Sequence, residues 1–104
     1  MVTDDILELL AAPSPSASKP FLERVDETLT VGYAQALQLE AERRRIERRI
    51  AEVVAGLGDQ TIHRHEPELV ALSERLMSAN ADLASLRTLL TSLRDRRSDL
   101  RSAA

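Results

Sequence analysis

The sequence predicts an all-α protein: an antiparallel two-helix coiled-coil hairpin, preceded by a short N-terminal helical segment and able to dimerise into a four-helix bundle. Three observations carry that prediction. Two long stretches, starting at Leu22 and Leu69, place apolar residues alternately three and four positions apart, the spacing that keeps one apolar seam turned toward a partner helix. Among the three glycines and four prolines, Gly32 interrupts these stretches and the others fall at their ends or outside them, so few helix breakers oppose helix formation. With one Phe, one Tyr and no Trp, the core must be built from layers of Leu, Ile, Val and Ala.

Residues 1–12 form a short amphipathic segment. Thr3 is placed to cap it, Asp4 and Asp5 fall in its first turn, and Pro13 follows as a stop, the arrangement expected of a helix beginning and ending there. A helix of about two turns is marginal in water on its own. It therefore orders on docking, and Ile6, Leu9 and Leu10 supply an apolar face for either of two docks: a groove on a protein partner or the flank of the hairpin itself. Residues 13–20, "PSPSASKP", read as a Pro/Ser linker.

The hairpin spans 21–104, with a first helix over 21–57, a bend over 58–66 and a second helix over 67–102. Writing the repeat as heptads abcdefg, the a and d positions of the first helix are Leu22, Val25, Leu29, Gly32, Ala36, Leu39, Arg43, Ile46, Ile50, Val53 and Leu57. Those of the second are Leu69, Leu72, Leu76, Ala79, Leu83, Leu86, Leu90, Leu93, Arg97 and Leu100. Gly56 and Gly58 suit a helix C-terminus and Pro67 suits the first turn of the next helix. A connection of about ten residues cannot recross a helix of about 50 Å, so the pair runs antiparallel.

Two registers, slipped by one heptad, fit this bend. In one, facing residue numbers sum to 129, matching Ile46 with Leu83 and Leu29 with Leu100; in the other they sum to 122. Flanking charges favour the first, which places Glu40 by Arg94, Glu47 by Arg87 and Arg49 by Asp82, where the second sets Glu42 by Asp82 and Arg49 by Arg75. The first also places Gly32 opposite Arg97, leaving room for the arginine stem to cross the seam and reach water.

The charge pattern bears on function. Net charge is −3, with thirteen Arg among fourteen basic residues, so bulk electrostatics do not draw the chain to nucleic acid or anionic lipid. "ERRRIERRI" (42–50) concentrates five arginines, but the heptad turns Arg44, Arg45 and Arg48 outward among glutamates, and no aromatic interleaves them for base stacking. Arg43 and Arg97 stand on the seam, where a polar residue fixes register or oligomeric state. His63, His65, Glu66 and Asp59 cluster near the bend, too sparsely to specify a metal site.

No cysteine is present, no Ser-His-Asp arrangement is visible, and a two-helix hairpin has no room for a water-excluding active site. No cofactor and no catalytic residue are assigned. The absence of disulfide chemistry, of a basic N-terminal flank and of a long apolar run predicts a cytoplasmic protein without a membrane segment.

Apolar residues off the seam, Val31, Tyr33 and Leu37 on the first helix, Val70, Met77 and Leu89 on the second and Val54 near the bend, widen the stripe beyond what one partner helix covers. Of these, Val31, Tyr33, Leu37, Met77 and Leu89, together with Ile6, Leu9 and Leu10, are the candidate partner-binding residues. The expectation is a non-enzymatic coiled-coil adaptor or regulator that binds another protein or a second copy of itself. The alternative is a nucleic-acid or nucleotide binder using the arginines of 43–49 and 94–101, and a self-assembling structural protein comes third.

Overall fold

The computed structural model describes residues 2–12, 18–56 and 62–103, all of it helix apart from short connections. Three helices follow one another: α1 (Val2–Ala11), α2 (Lys19–Ala55) and α3 (Ile62–Ala103). The long helices pack against each other as a hairpin, and α1 precedes them. The chain divides into two compact units: residues 1–37 with 84–104, and residues 38–83.

The helix boundaries differ from the sequence expectation in ways that the local chemistry explains. α1 begins at Val2 rather than after a Thr3 cap, because the Val2 side chain is itself buried and belongs to the packed face. α2 begins at Lys19, two residues early, because Ser18 is its cap: the Phe21 N–H donates to Ser18 Oγ at 3.3 Å and the Leu22 N–H to the Ser18 carbonyl at 3.0 Å. Pro20 then lies in the first turn, where no intrahelical donor is needed. α3 begins at Ile62, five residues early, with Pro67 inside it. So near the start, the proline forgoes one helical bond and leaves the rest of the helix intact. At the end of α2 the Gly56 N–H still donates to the Glu52 carbonyl at 3.0 Å. Leu57, Gly58 and Asp59 lie outside the described residues.

In the unit formed by 1–37 and 84–104, three helices share one core. Val25, Leu29 and Ala36 of α2 and Leu86, Leu90, Leu93 and Leu100 of α3 are buried at their seam positions. α1 adds Val2, Ile6 and Leu9, with Ile6 fully buried and Leu9 2% exposed. The short segment thus docks on its own hairpin. It covers the flank of the g positions, which precede each a: Thr28, Gln35, Leu89 and Arg96 on that side are half-buried, while Tyr33, Arg87 and Arg94 on the opposite e flank are exposed.

The register is the one slipped from the sequence expectation. Gly32 faces Leu90, not Arg97: a Cβ on Gly32 would lie 2.4 Å from Leu90 Cδ2, with Ile6 Cδ1 3.8 Å away. These residue numbers sum to 122. Fitting a branched leucine into a glycine gap outweighs exposed charge pairs worth only about 0.3–0.5 kcal/mol each.

In the unit formed by 38–83, Ile46, Val53, Leu72 and Ala79 make the buried core, with Ile50, Leu69 and Leu76 packed against it and half-buried. The ion pairs here carry the same register independently. Arg49 binds Glu68 and Arg75 binds Glu42 across the seam, in place of the expected pairing of Arg49 with Asp82. Each g residue lies between two g residues of the facing helix, one heptad apart, and Arg49 and Arg75 reach their acidic neighbours in preference to each other. This register sets Arg43 opposite Ala79, whose small side chain leaves space for the arginine stem.

Gly32→Leu should destabilise the chain by about 1–3 kcal/mol through overpacking, even though it improves helix propensity. Adding Leu90→Ala should recover part of that loss, because the two side chains compete for one space. Thermal unfolding followed by circular dichroism of the two single variants and the double variant measures this coupling. Strictly additive effects would return Gly32 to a position facing another residue.

Candidate functional site

The residues singled out by sequence fall into three environments. Ile6 and Leu9 are buried beneath α1, with Leu10 half-buried beside them. Val31, Tyr33, Leu37 and Met77 face solvent, Leu37 at 64% and Met77 at 73% exposure, while Leu89 is half-buried. Leu7, Val54 and Val70, which are not among the residues singled out by sequence as partner-binding, are exposed as well. Tyr33 and Leu37 are one helical turn apart and share a face of α2, as Val70 and Met77, two turns apart, share a face of α3.

The seam arginines are held differently. Arg97 Nε donates to the Asp26 carboxylate, and Arg101 Nη2 stands 3.6 Å from the same group. Asp26 is the partner that sequence reasoning missed. It sits at an e position directly beside the seam, and only the correct register brings it to Arg97. Arg43 has Nε 3.6 Å from Glu47 Oε1, yet that nitrogen is buried with no hydrogen-bond acceptor among the described residues. A guanidinium nitrogen left so costs more than an exposed one, consistent with a seam arginine that fixes register at the expense of stability.

The arginine-rich stretch 43–49 is interleaved with carboxylates. Arg44 Nη2 lies 3.8 Å from Glu40, and Arg49 contacts Glu52 at 3.6 Å as well as Glu68 at 2.7 Å. An open cleft of about 270 Å³ beside it is lined by Glu42, Arg45, Ile46, Arg49, Leu72 and Arg75. A second, of about 470 Å³, lies along Arg94, Asp95, Arg97, Ser98, Arg101 and Ser102. In each, carboxylates stand among the guanidinium groups, which weakens both as phosphate sites.

Near the start of α3, His65 Nδ1 is 3.6 Å from Glu68 Oε2. No group of three or more His, Asp or Glu able to hold a metal occurs among the described residues; Asp59 and the His63 side chain lie outside them. No helix among the described residues is long and apolar enough to cross a membrane. No family model matches the sequence, and neither a curated protein nor a solved structure matches it.

The Arg49–Glu68 hydrogen bond, made at 2.9 Å through Nε, holds the Glu68 carboxyl below the ordinary glutamate range; the Arg49 charge and the neighbouring His65 act in the same direction, with desolvation opposing them. A depressed folded-state value means that the pair adds stability above the unfolded pKa and loses it as pH falls through the folded one. Carboxyl NMR should therefore titrate Glu68 with a midpoint below that of an unpaired glutamate, and Arg49→Gln should move the midpoint up. An unchanged midpoint in the variant would remove Arg49 as the cause.

Proposed function

We propose that this chain is a non-enzymatic, cytoplasmic helical-hairpin adaptor or regulator that acts by binding another protein through its helical faces. The observation that carries this reading is the set of large apolar side chains left in water on helices whose seam is already filled: Tyr33 and Leu37 on one face of α2, Val31 on another, and Val70 and Met77 on one face of α3. A two-helix seam needs only its a and d residues, so paired apolar positions beyond it favour a further helix–protein contact. The burial of Ile6 and Leu9 removes them from that surface while α1 is docked.

The nucleic-acid reading draws no support from the arginines of 43–49, since Arg43, Arg44 and Arg49 lie next to carboxylates of their own chain. Phosphate contacts would also confer a steep dependence on salt that apolar docking lacks.

Leu37→Asp and Met77→Asp, made separately, should leave helicity and melting temperature within the small range of surface changes, about 0.5 kcal/mol. At least one should abolish crosslinking to the protein partner recovered from host cells by the unaltered chain. Retention of every crosslinked species by both variants, or capture of nucleic acid that falls steeply with added salt, would defeat the proposal.

A further inference from the structure

α1 demonstrates what the g flank of its unit binds. The floor includes Gly32, beside which Ile6 Cδ1 packs at ordinary contact distance, 3.8 Å from where a Cβ would stand. Ile6 is fully buried there, and Val2 and Leu9 are buried on the same α1 face. One end of the groove is closed by Arg96, whose Nη2 donates to the Ala12 carbonyl at 2.7 Å. The rest of that guanidinium is poorly served: Nε is buried and has no acceptor among the described residues. A single main-chain oxygen takes one arm of a two-armed donor. A carboxylate takes both in parallel, which adds a second bond and the attraction of opposite charges. The tethered segment therefore matches its groove in shape and falls short of it in charge.

We infer that the groove under α1 receives an amphipathic helix from a protein partner. That helix carries aliphatic side chains at the spacing of Val2, Ile6 and Leu9, and a carboxylate about three residues beyond the last of them. The carboxylate binds Arg96 through both Nε and Nη2, and α1 is the exchangeable plug that holds the groove until such a helix arrives. Exchange is feasible because α1 is only ten residues long, too short to be stable when released. As a tethered competitor, α1 raises the concentration at which a free ligand binds, and a better-matched ligand lowers it again. Asp26 already engages Arg97 and lies near Arg101, which leaves Arg96 as the groove's anion receptor. This inference rests on the protein-binding reading above but uses a different surface.

Two synthetic peptides of residues 1–12, one ending in a free carboxylate and one in an amide, test it on the full-length chain. The tethered α1 competes with both alike, so the ratio of their affinities, measured by anisotropy of an N-terminal fluorophore, reports the carboxylate alone. The acid should bind about tenfold more tightly than the amide. In Arg96→Lys, which keeps the positive charge and loses the fork, the ratio should fall to about twofold or less. Equal affinities, a ratio unchanged in Arg96→Lys, or no binding of either peptide at millimolar concentration would overturn the inference. Those outcomes, alongside crosslinks that remain sensitive to Leu37→Asp or Met77→Asp, would remove the groove and leave the exposed faces in place.

Discussion

The missing side chain at Gly32 sets the register on which the hairpin's other contacts depend. Glycine inside a helix costs about 1 kcal/mol relative to alanine, and here it lets Leu90 of α3 approach the α2 backbone. Leu90 fills the space where a Cβ would stand, and Ile6 closes over it from α1. A hairpin slipped by one heptad would put Arg97 at the glycine and leave Leu90 without its gap. The same position thus selects the register, and Ile6 of α1 packs beside it.

Once the register is set, the ionic contacts follow from it. Asp26 meets Arg97 and stands near Arg101, and Arg49 and Arg75 meet Glu68 and Glu42. These groups are substantially exposed, so each pair contributes little to stability. They report the alignment; packing determines it. The seam arginines are a different case, because their stems cross apolar surface. Arg43 tolerates its place because Ala79 is small, and Arg97 because a carboxylate lies within reach.

Most of the architecture is legible in the sequence, because heptad spacing is a strong periodic signal and a short bend admits only one helix direction. The helix ends are less so. Ser18 reads as part of a Pro/Ser linker until its hydroxyl is seen to cap α2, although a serine two residues before a proline is an available signal. Flanking charges point to the wrong register when each is compared with only one of its two possible neighbours: Arg49 set against Arg75 looks repulsive, and Glu68 on its other side goes uncounted. Volume complementarity at Gly32 carries more energy than any of those pairs, and a ledger of charges cannot register it. The docking of α1 is undecidable from sequence for a related reason. Its apolar face fits the hairpin flank and a partner's groove equally well, and only the shape of the flank distinguishes them.

Burial along the seam reaches the same depth in both units but is more even where α1 is present. Where α1 is present, Leu86, Leu90 and Leu93 are buried to 3% exposure or less. In the two-helix unit, Ile46 and Leu83 are as deeply buried, at 2% and 1% exposure, whereas Ile50, Leu69 and Leu76 at other seam positions are only half-buried. Two helices can enclose a seam from above and below but leave its flanks open to water, and a third helix closes one flank. Lifting α1 away exposes three buried aliphatic side chains at once, so a ligand that displaces it must bury a comparable apolar face. A chain with little room for an enclosed pocket can still offer selective recognition in this way. The docked helix defines the spacing of side chains that the groove accepts, and the arginine at the groove's end adds a demand for charge that the docked helix does not meet.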